Sequence, residues 1–333
     1  AEEIGLLMDG YKVIVNKSTV PVGTGARVTE IIQEKQKAPQ DFTVVSNPEF
    51  LREGSAIEDF LRPDRVVIGT DDPHAEAIMR DIYRRLAQTN TPFLVTTRET
   101  AEMIKYAANA FLATKISFIN EIANLCELVG ADVRDVSFGM GGDARIGPSF
   151  LQPGPGYGGS CLPKDTRALC MKGEQVGYEM KVVNAVIRVN EEQSARIVDK
   201  IRQGAGGDLG GKSIGMLGLS FKPNTDDMRD APSLAIIPAL QQEGASVKAY
   251  DPVSAEEAGR ILSGVTFTTS AYEAADGCDV LVVLTEWNEF RDLDFSDIKD
   301  RMRQAVLIDA KNIYDPATIV EAGFDYNGVG RSA

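Results

Sequence analysis

The chain has 333 residues, 43% hydrophobic and 25% charged, a make-up that suits a soluble globular protein with room for two cores. Its formal net charge of -14 leaves no broad basic surface for a nucleic-acid backbone, and apolar runs such as Val280 to Leu284 are too short to span a bilayer. Four scattered cysteines without CxxC spacing exclude a disulfide framework or zinc site and point to a reducing, cytoplasmic setting, while a single histidine, His74, removes Ser-His-Asp and multi-histidine metal mechanisms.

Residues Ala1 to Leu6 carry neither an initiator Met nor signal-peptide regions, so the chain reads as cut at its front. From 12 to 97, β-like runs at Lys12–Ser18, Thr43–Ser46, Arg65–Gly69 and Pro92–Thr96 alternate with helical patterns at 25–37, 53–61 and 73–88. That alternation predicts a parallel sheet with crossover helices. Between Arg98 and Val129 no Pro or Gly interrupts an apolar pattern at helical spacing, which predicts one long helix. Because it is apolar over so much of its surface, it is expected to connect domains and form a homodimer interface, or else to be a buried helix within a monomer. A Gly/Pro-rich stretch from Gly139 to Gly159 reads as a loop, patterns near 163–177 and 181–203 as helices, and Gly204–Gly211 as a flexible junction. A second α/β unit follows, with strands at Ser213–Leu219, Ser246–Tyr250, Asp279–Thr285 and Ala305–Asp309. The expected domains are 1–97, 98–204 and 205–333.

In Gly158-Gly159-Ser160-Cys161-Leu162-Pro163-Lys164-Asp165, Pro163 at a first helical position sets Cys161 at or just before a helix N-terminus, where free amides and the dipole stabilise a thiolate. Lys164 adds positive charge, the glycines admit a ligand, and Asp165 is spaced to share a face with Cys161. Cys126, Cys170 and Cys278 read as core residues. Glu49 and Glu53, after a strand, are four apart and could face one pocket as a general base and its neighbour, although a helix cap with solvated charges fits the spacing as well. Thr19, in Asn16 to Gly25, suits a phosphate, a nicotinamide or an ordered water, or simply a capped turn. Lys105 and Asn109 share a helical face and could hold an oxyanion, or stand on an exposed face. The run from Ile214 to Asp230 lacks a full GxGxxG, so a sugar nucleotide fits it better than a dinucleotide, with Lys222 and Arg229 as charge partners or surface ion pairs.

Four segments in this order, Lys17-Ser18-Thr19-Val20-Pro21, Asn47 to Gly54, Gly158 to Asp165 and Phe221-Lys222-Pro223-Asn224-Thr225, resemble the UDP-glucose 6-dehydrogenase family, within the wider UDP-glucose/GDP-mannose dehydrogenase group. The resemblance implies an α/β fold with two Rossmann-like parallel-sheet domains, the first truncated, joined by the long central helix and a helical middle domain. It implies NAD as cofactor, no metal, and UDP-glucose as substrate. Cys161 would attack the C6 aldehyde and carry a thioester that water releases as the uronate. Lys105 and Asn109 would hold the oxyanion, Asp165 would assist proton transfer or place the water, and Glu49 and Thr19 would serve acid/base and water-ordering roles. Glu49, Phe50, Leu51, Arg52, Glu53, Lys105, Phe150, Leu151, Gln152, Pro153, Gly154, Gly158 and Lys222 fall on substrate-contacting segments. Arg145 matches an arginine that reaches the neighbouring subunit's sugar nucleotide, and Thr19, Glu53, Lys164 and Arg229 match positions that touch NAD.

Two departures stand out. No GxGYVG fingerprint or ribose-binding acid precedes Lys12, so the front of the NAD-binding domain is expected to be missing and activity to be slight. Asp309-Ala310-Lys311-Asn312 stands where bacterial relatives read Asp-Gly-Arg-Asn, which alters a guanidinium contact. GDP-mannose and UDP-N-acetylhexosamines are the alternative substrates, and a sugar-nucleotide-binding or oligomerising fragment is the alternative role.

Overall fold

A computed structural model describes residues 1–87 and 90–331, in two compact units: residues 1–110 with 168–179, and residues 111–167 with those from 180 onward. In the first unit, α1 (Glu2–Leu7) precedes β1 (Lys12–Asn16), α2 (Thr24–Lys35), β2 (Phe42–Ser46), α3 (Ala56–Leu61) and β3 (Val66–Gly69). Next come α4 (Pro73–Ile82), α5 (Arg84–Ala87), β4 (Phe93–Thr96) and the start of α6 (Arg98–Val129). The sheet order is β1-β2-β3-β4. Strand β1 runs parallel to β2 and β3 to β4, but β2 and β3 meet antiparallel through Ser46 and Gly69, so this sheet is mixed rather than wholly parallel. The β2-to-β3 connection carries only the six-residue α3, not the full crossover helix that usually returns a chain parallel.

Asp72 caps α4 by accepting from the His74 amide, with Pro73 in the first turn. The helix expected over 73–88 is broken at Tyr83, whose buried hydroxyl donates to Asn47 Oδ1 at 2.6 Å; Gln88 lies outside the described residues. Apolar side chains of β2, β3 and α4, among them Val45, Ile68 and Met79, form this unit's core.

The second unit takes the rest of α6, then α7 (Val133–Gly141), the first turns of α8 (Leu162–Gln175) and α9 (Lys181–Gly204). The chain continues through β5 (Ser213–Leu217), α10 (Ser233–Gln242), β6 (Ser246–Tyr250), α11 (Ala255–Ile261), β7 (Val265–Phe267), α12 (Ala271–Ala275) and β8 (Val280–Val283). It ends with α13 (Phe295–Arg301), β9 (Val306–Asp309), α14 (Pro316–Glu321) and β10 (Asp325–Gly328). All strand pairs in this six-stranded sheet are parallel, in the order β10-β9-β8-β5-β6-β7. Counted from β5, that is the doubly wound order in which the chain reverses between β5 and β8.

Gly204–Gly211 is anchored rather than flexible, because Ala205 and Leu209 are buried in the core beside Ile197 and Ile201. The same core continues through Ile119 and Ala123 of α6 to Ile214 and Val282 of the sheet, so no break in packing falls at the expected boundary near 204. Among the described residues no helix is long and apolar enough to cross a membrane.

Candidate active site

The Cys161 carbonyl accepts from the Asp165 amide at 2.9 Å, the first bond of α8, so Cys161 is the N-cap and Pro163 takes the second helical position rather than the first. The thiol is exposed and lies 3.5 Å from Ser160 Oγ. Cys126, Cys170 and Cys278 are buried, and burial raises their thiols above the ordinary value, Cys278 to about 11. Only Cys161 thus combines access with the amide end of a helix, the setting of a nucleophilic cysteine.

The glycines before it are closely packed. A Cβ on Gly158 would stand 2.3 Å from the Asp230 carbonyl oxygen, and one on Gly159, at φ +84°, would meet the Phe221 ring at 2.7 Å. Gly159 also donates its amide to Arg229 O at 2.8 Å. The cysteine turn is therefore clasped by the 221–230 loop. Lys164, expected to lend charge to the thiol, is paired with the buried Asp165 carboxylate at 2.5 Å. Arg229 is paired with Asp227 at 2.8 Å, Arg145 with Asp143, and the Lys222 ammonium sits 5.3 Å above the Phe221 ring.

Phe150 takes a left-handed φ of 64°, after which Leu151, Gln152 and Pro153 line a cavity of about 480 Å³ with Arg134, Arg291 and Lys311. That size suits a nucleotide, and the three cations suit its anionic part. Lys311, in the place of the expected arginine, bonds Glu286 at 2.8 Å. Burial opposes the Glu286 charge, but the Lys311 ammonium overcomes it and holds the carboxyl below its ordinary range. Gly154 donates its amide to Asn120 Oδ1 and accepts from Gln193 Nε2, which fixes the far end of this segment.

In the first unit Lys105 and Asn109 share a buried face of α6. Lys105 lies 3.9 Å from Glu49 Oε1 and 5.2 Å from the Phe50 ring, against which Arg65 also stacks. Residues 47–55 are not helical, so Glu49 and Glu53 do not share a helix face; Glu49 accepts from the Leu51 amide, and Glu53 is exposed. Arg52 turns to Asp59 at the start of α3. Lys17, to which sequence reasoning gave no role, donates to Asn47 O. Burial lowers its pKa, with Glu49 opposing the shift and Lys105 adding to it.

Sequence reasoning also missed Glu102, 3% exposed and one turn before Lys105, which accepts from the amides of Gly23 and Gly25 and from Ser46 Oγ. Its signal was an acid among apolar positions at helical spacing. Glu102 and Lys105 border a small cavity of about 10 Å³ with Asn16, Ser18 and Thr19, at the carboxyl ends of β1 and β2. Asn16 Nδ2 is buried without a hydrogen-bond partner there. An unpaired donor beside two hydroxyls in a cavity of that size suits one ordered water.

The comparisons with known proteins agree with this geometry. Residues 1–87, 99–192 and 215–316 match the NAD binding, central and UDP binding domains of the UDP-glucose/GDP-mannose dehydrogenase family. The first match begins at residue 1, so the expectation of a missing front, and of slight activity, finds no support there. The chain is 52% identical to the UDP-glucose 6-dehydrogenase of Rhizobium meliloti over 99% of its own length and 76% of the relative's. It is 50% identical to UDP-glucose 6-dehydrogenase TuaD of Bacillus subtilis over 100% and 72%. A solved UDP-glucose dehydrogenase from Pyrobaculum islandicum superposes with a TM-score of 0.91 at 38% identity, over 99% of this chain and 74% of that one. An exposed cysteine capping a helix, a cation-lined cavity of nucleotide size and the agreement of three successive domains place this chain in the UDP-glucose/GDP-mannose dehydrogenase family.

Proposed function

We propose that the protein oxidises the C6 alcohol of UDP-glucose to the carboxylate of UDP-glucuronate in two NAD-dependent steps. The observation that carries this is Cys161, an exposed helix-capping thiol in a chain 46–52% identical to several UDP-glucose 6-dehydrogenases. NAD, when bound, accepts a hydride in each oxidation. By the resemblance, Thr19, Glu53, Lys164 and Arg229 would touch it.

Cys161 Sγ adds to the C6 aldehyde and gives up its proton. Once C6 has lost its hydrogen as hydride, the sulfur holds a thioester. Water adds to that carbonyl, the C–S bond breaks, and the thiol and the carboxylate separate. Lys105 and Asn109 stabilise the oxyanion, Asp165 and Glu49 take up protons, and Thr19 orders the water. Leu151, Gln152 and Pro153 with Lys311 seat the nucleotide, and the other assigned contacts follow the resemblance. The protein works as a homodimer in the cytoplasm, a compartment that suits its four free cysteines.

The test is NADH production by the purified protein with UDP-glucose, GDP-mannose and UDP-N-acetylmannosamine. The expected outcome is two NADH per UDP-glucose, lost in Cys161→Ser. Silence with all three sugars from a folded protein would end the assignment.

A further inference from the structure

Lys115, on α6, sends its ammonium to two consecutive carbonyl oxygens, Ile146 O at 3.0 Å and Gly147 O at 3.3 Å. Those carbonyls belong to a tight turn built on Asp143. The Asp143 carbonyl accepts from the Ile146 and Gly147 amides, both at 2.9 Å, its side chain accepts from the Arg145 amide at 2.9 Å, and Gly147 closes the turn at φ +71°. Arg145 stands at the turn's apex with 89% of its side chain exposed. Backbone bonds thus set the turn's internal shape, while Lys115 ties it to a 32-residue helix. An ammonium shared by two carbonyls is a charge-assisted contact, stronger than a neutral hydrogen bond.

We propose that Lys115 is a positioning residue for Arg145: by anchoring the 143–147 turn to α6 it sets where that guanidinium is presented to the sugar nucleotide. The inference rests on the proposed function and on the role that the resemblance gives to Arg145. Lys115 itself touches no substrate, so its effect passes through Arg145 and falls on binding more than on chemistry.

The test is a double-mutant cycle on steady-state kinetics with UDP-glucose and NAD. Lys115→Met is expected to raise KM for UDP-glucose about tenfold and to lower kcat less than threefold, and Lys115→Arg to restore most of the loss. In an Arg145→Ala background the same Lys115→Met change is expected to add less than twofold to KM. Lys115→Gln, which shortens the reach but keeps a donor, carries the same cycle if the methionine variant does not fold. An unchanged KM in the single variant overturns the proposal, as does an equal rise with and without Arg145, or an Arg145→Ala variant of wild-type KM. A wild-type protein that turns over no nucleotide sugar instead refutes the functional reading on which it stands.

Discussion

Cys161 differs from the other thiols in access as well as position, and a label distinguishes them. Native protein treated with iodoacetamide is expected to take up one label per chain, at Cys161, because Cys126, Cys170 and Cys278 are buried with thiols raised by burial. Peptide mass spectrometry reads the outcome, and labelling elsewhere before Cys161 would remove the basis for its selection as nucleophile. A second prediction concerns Glu102. Replacing it with alanine strands the amides of Gly23 and Gly25 and the Ser46 hydroxyl, a loss of roughly 3–5 kcal/mol measurable by urea unfolding. A cost below ~1 kcal/mol would show that water takes over those donors. Cys161 was legible because glycine, proline and lysine beside it describe a turn into a helix. Glu102 showed only as an acid among apolar positions, because its amide partners lie 77 and 79 residues earlier and no local pattern reports on them.

Elements long enough to show a period were the readable ones. Helix α6 and strand β6 have the bounds that their patterns gave, whereas β7 and β10, of three and four residues at the two sheet edges, were too short to stand out, and α7 was hidden by its glycines. The join between the cysteine turn and the 221–230 loop was also invisible, since it rests on missing side chains rather than present ones. Gly158→Ala forces a methyl into the Asp230 carbonyl, where no flexible side chain can yield. The expected result is a loss of about 1–3 kcal/mol in stability and a fall in activity of at least tenfold. An alanine variant with wild-type kcat and urea midpoint would show that the turn tolerates a shift. At the ends of β5 and β6, Asp251 works against burial: amide donors of Ser254, Leu219, Val253 and Ser220 hold its carboxyl below the ordinary range. A lowered folded pKa means that this stabilisation is present at neutral pH and disappears as pH falls through the lowered value. Asp251→Asn should therefore flatten the acid limb of the stability curve, and an unchanged limb would assign acid unfolding to other carboxylates.

At the scale of the molecule, the doubly wound sheet followed from strand order and parallel pairing, while the long helix carries an exposed apolar stripe. Phe111, Phe118 and Leu125 recur every seven residues on α6, and they remain 65%, 44% and 53% exposed. Three large apolar side chains in one stripe form a seam of the kind that pairs helices. Leaving it in water forgoes about 1.5–3 kcal/mol for each side chain that a partner would fully cover. In the homodimer of the proposed function a second copy of the chain would cover it, and the same helix carries Lys115, which connects the seam to the turn bearing Arg145. Phe118→Glu sets a charge at the centre of the stripe, where burial against an apolar partner is most costly. Sedimentation velocity is expected to show a dimer or larger assembly for the wild type and a shift to monomer for Phe118→Glu, with activity falling alongside because Arg145 then has no neighbouring sugar nucleotide to meet. Diluting the wild type through its dissociation range should reproduce that loss without any substitution. A wild-type protein that sediments as a fully active monomer would separate the helix seam from catalysis and leave Arg145 without its role.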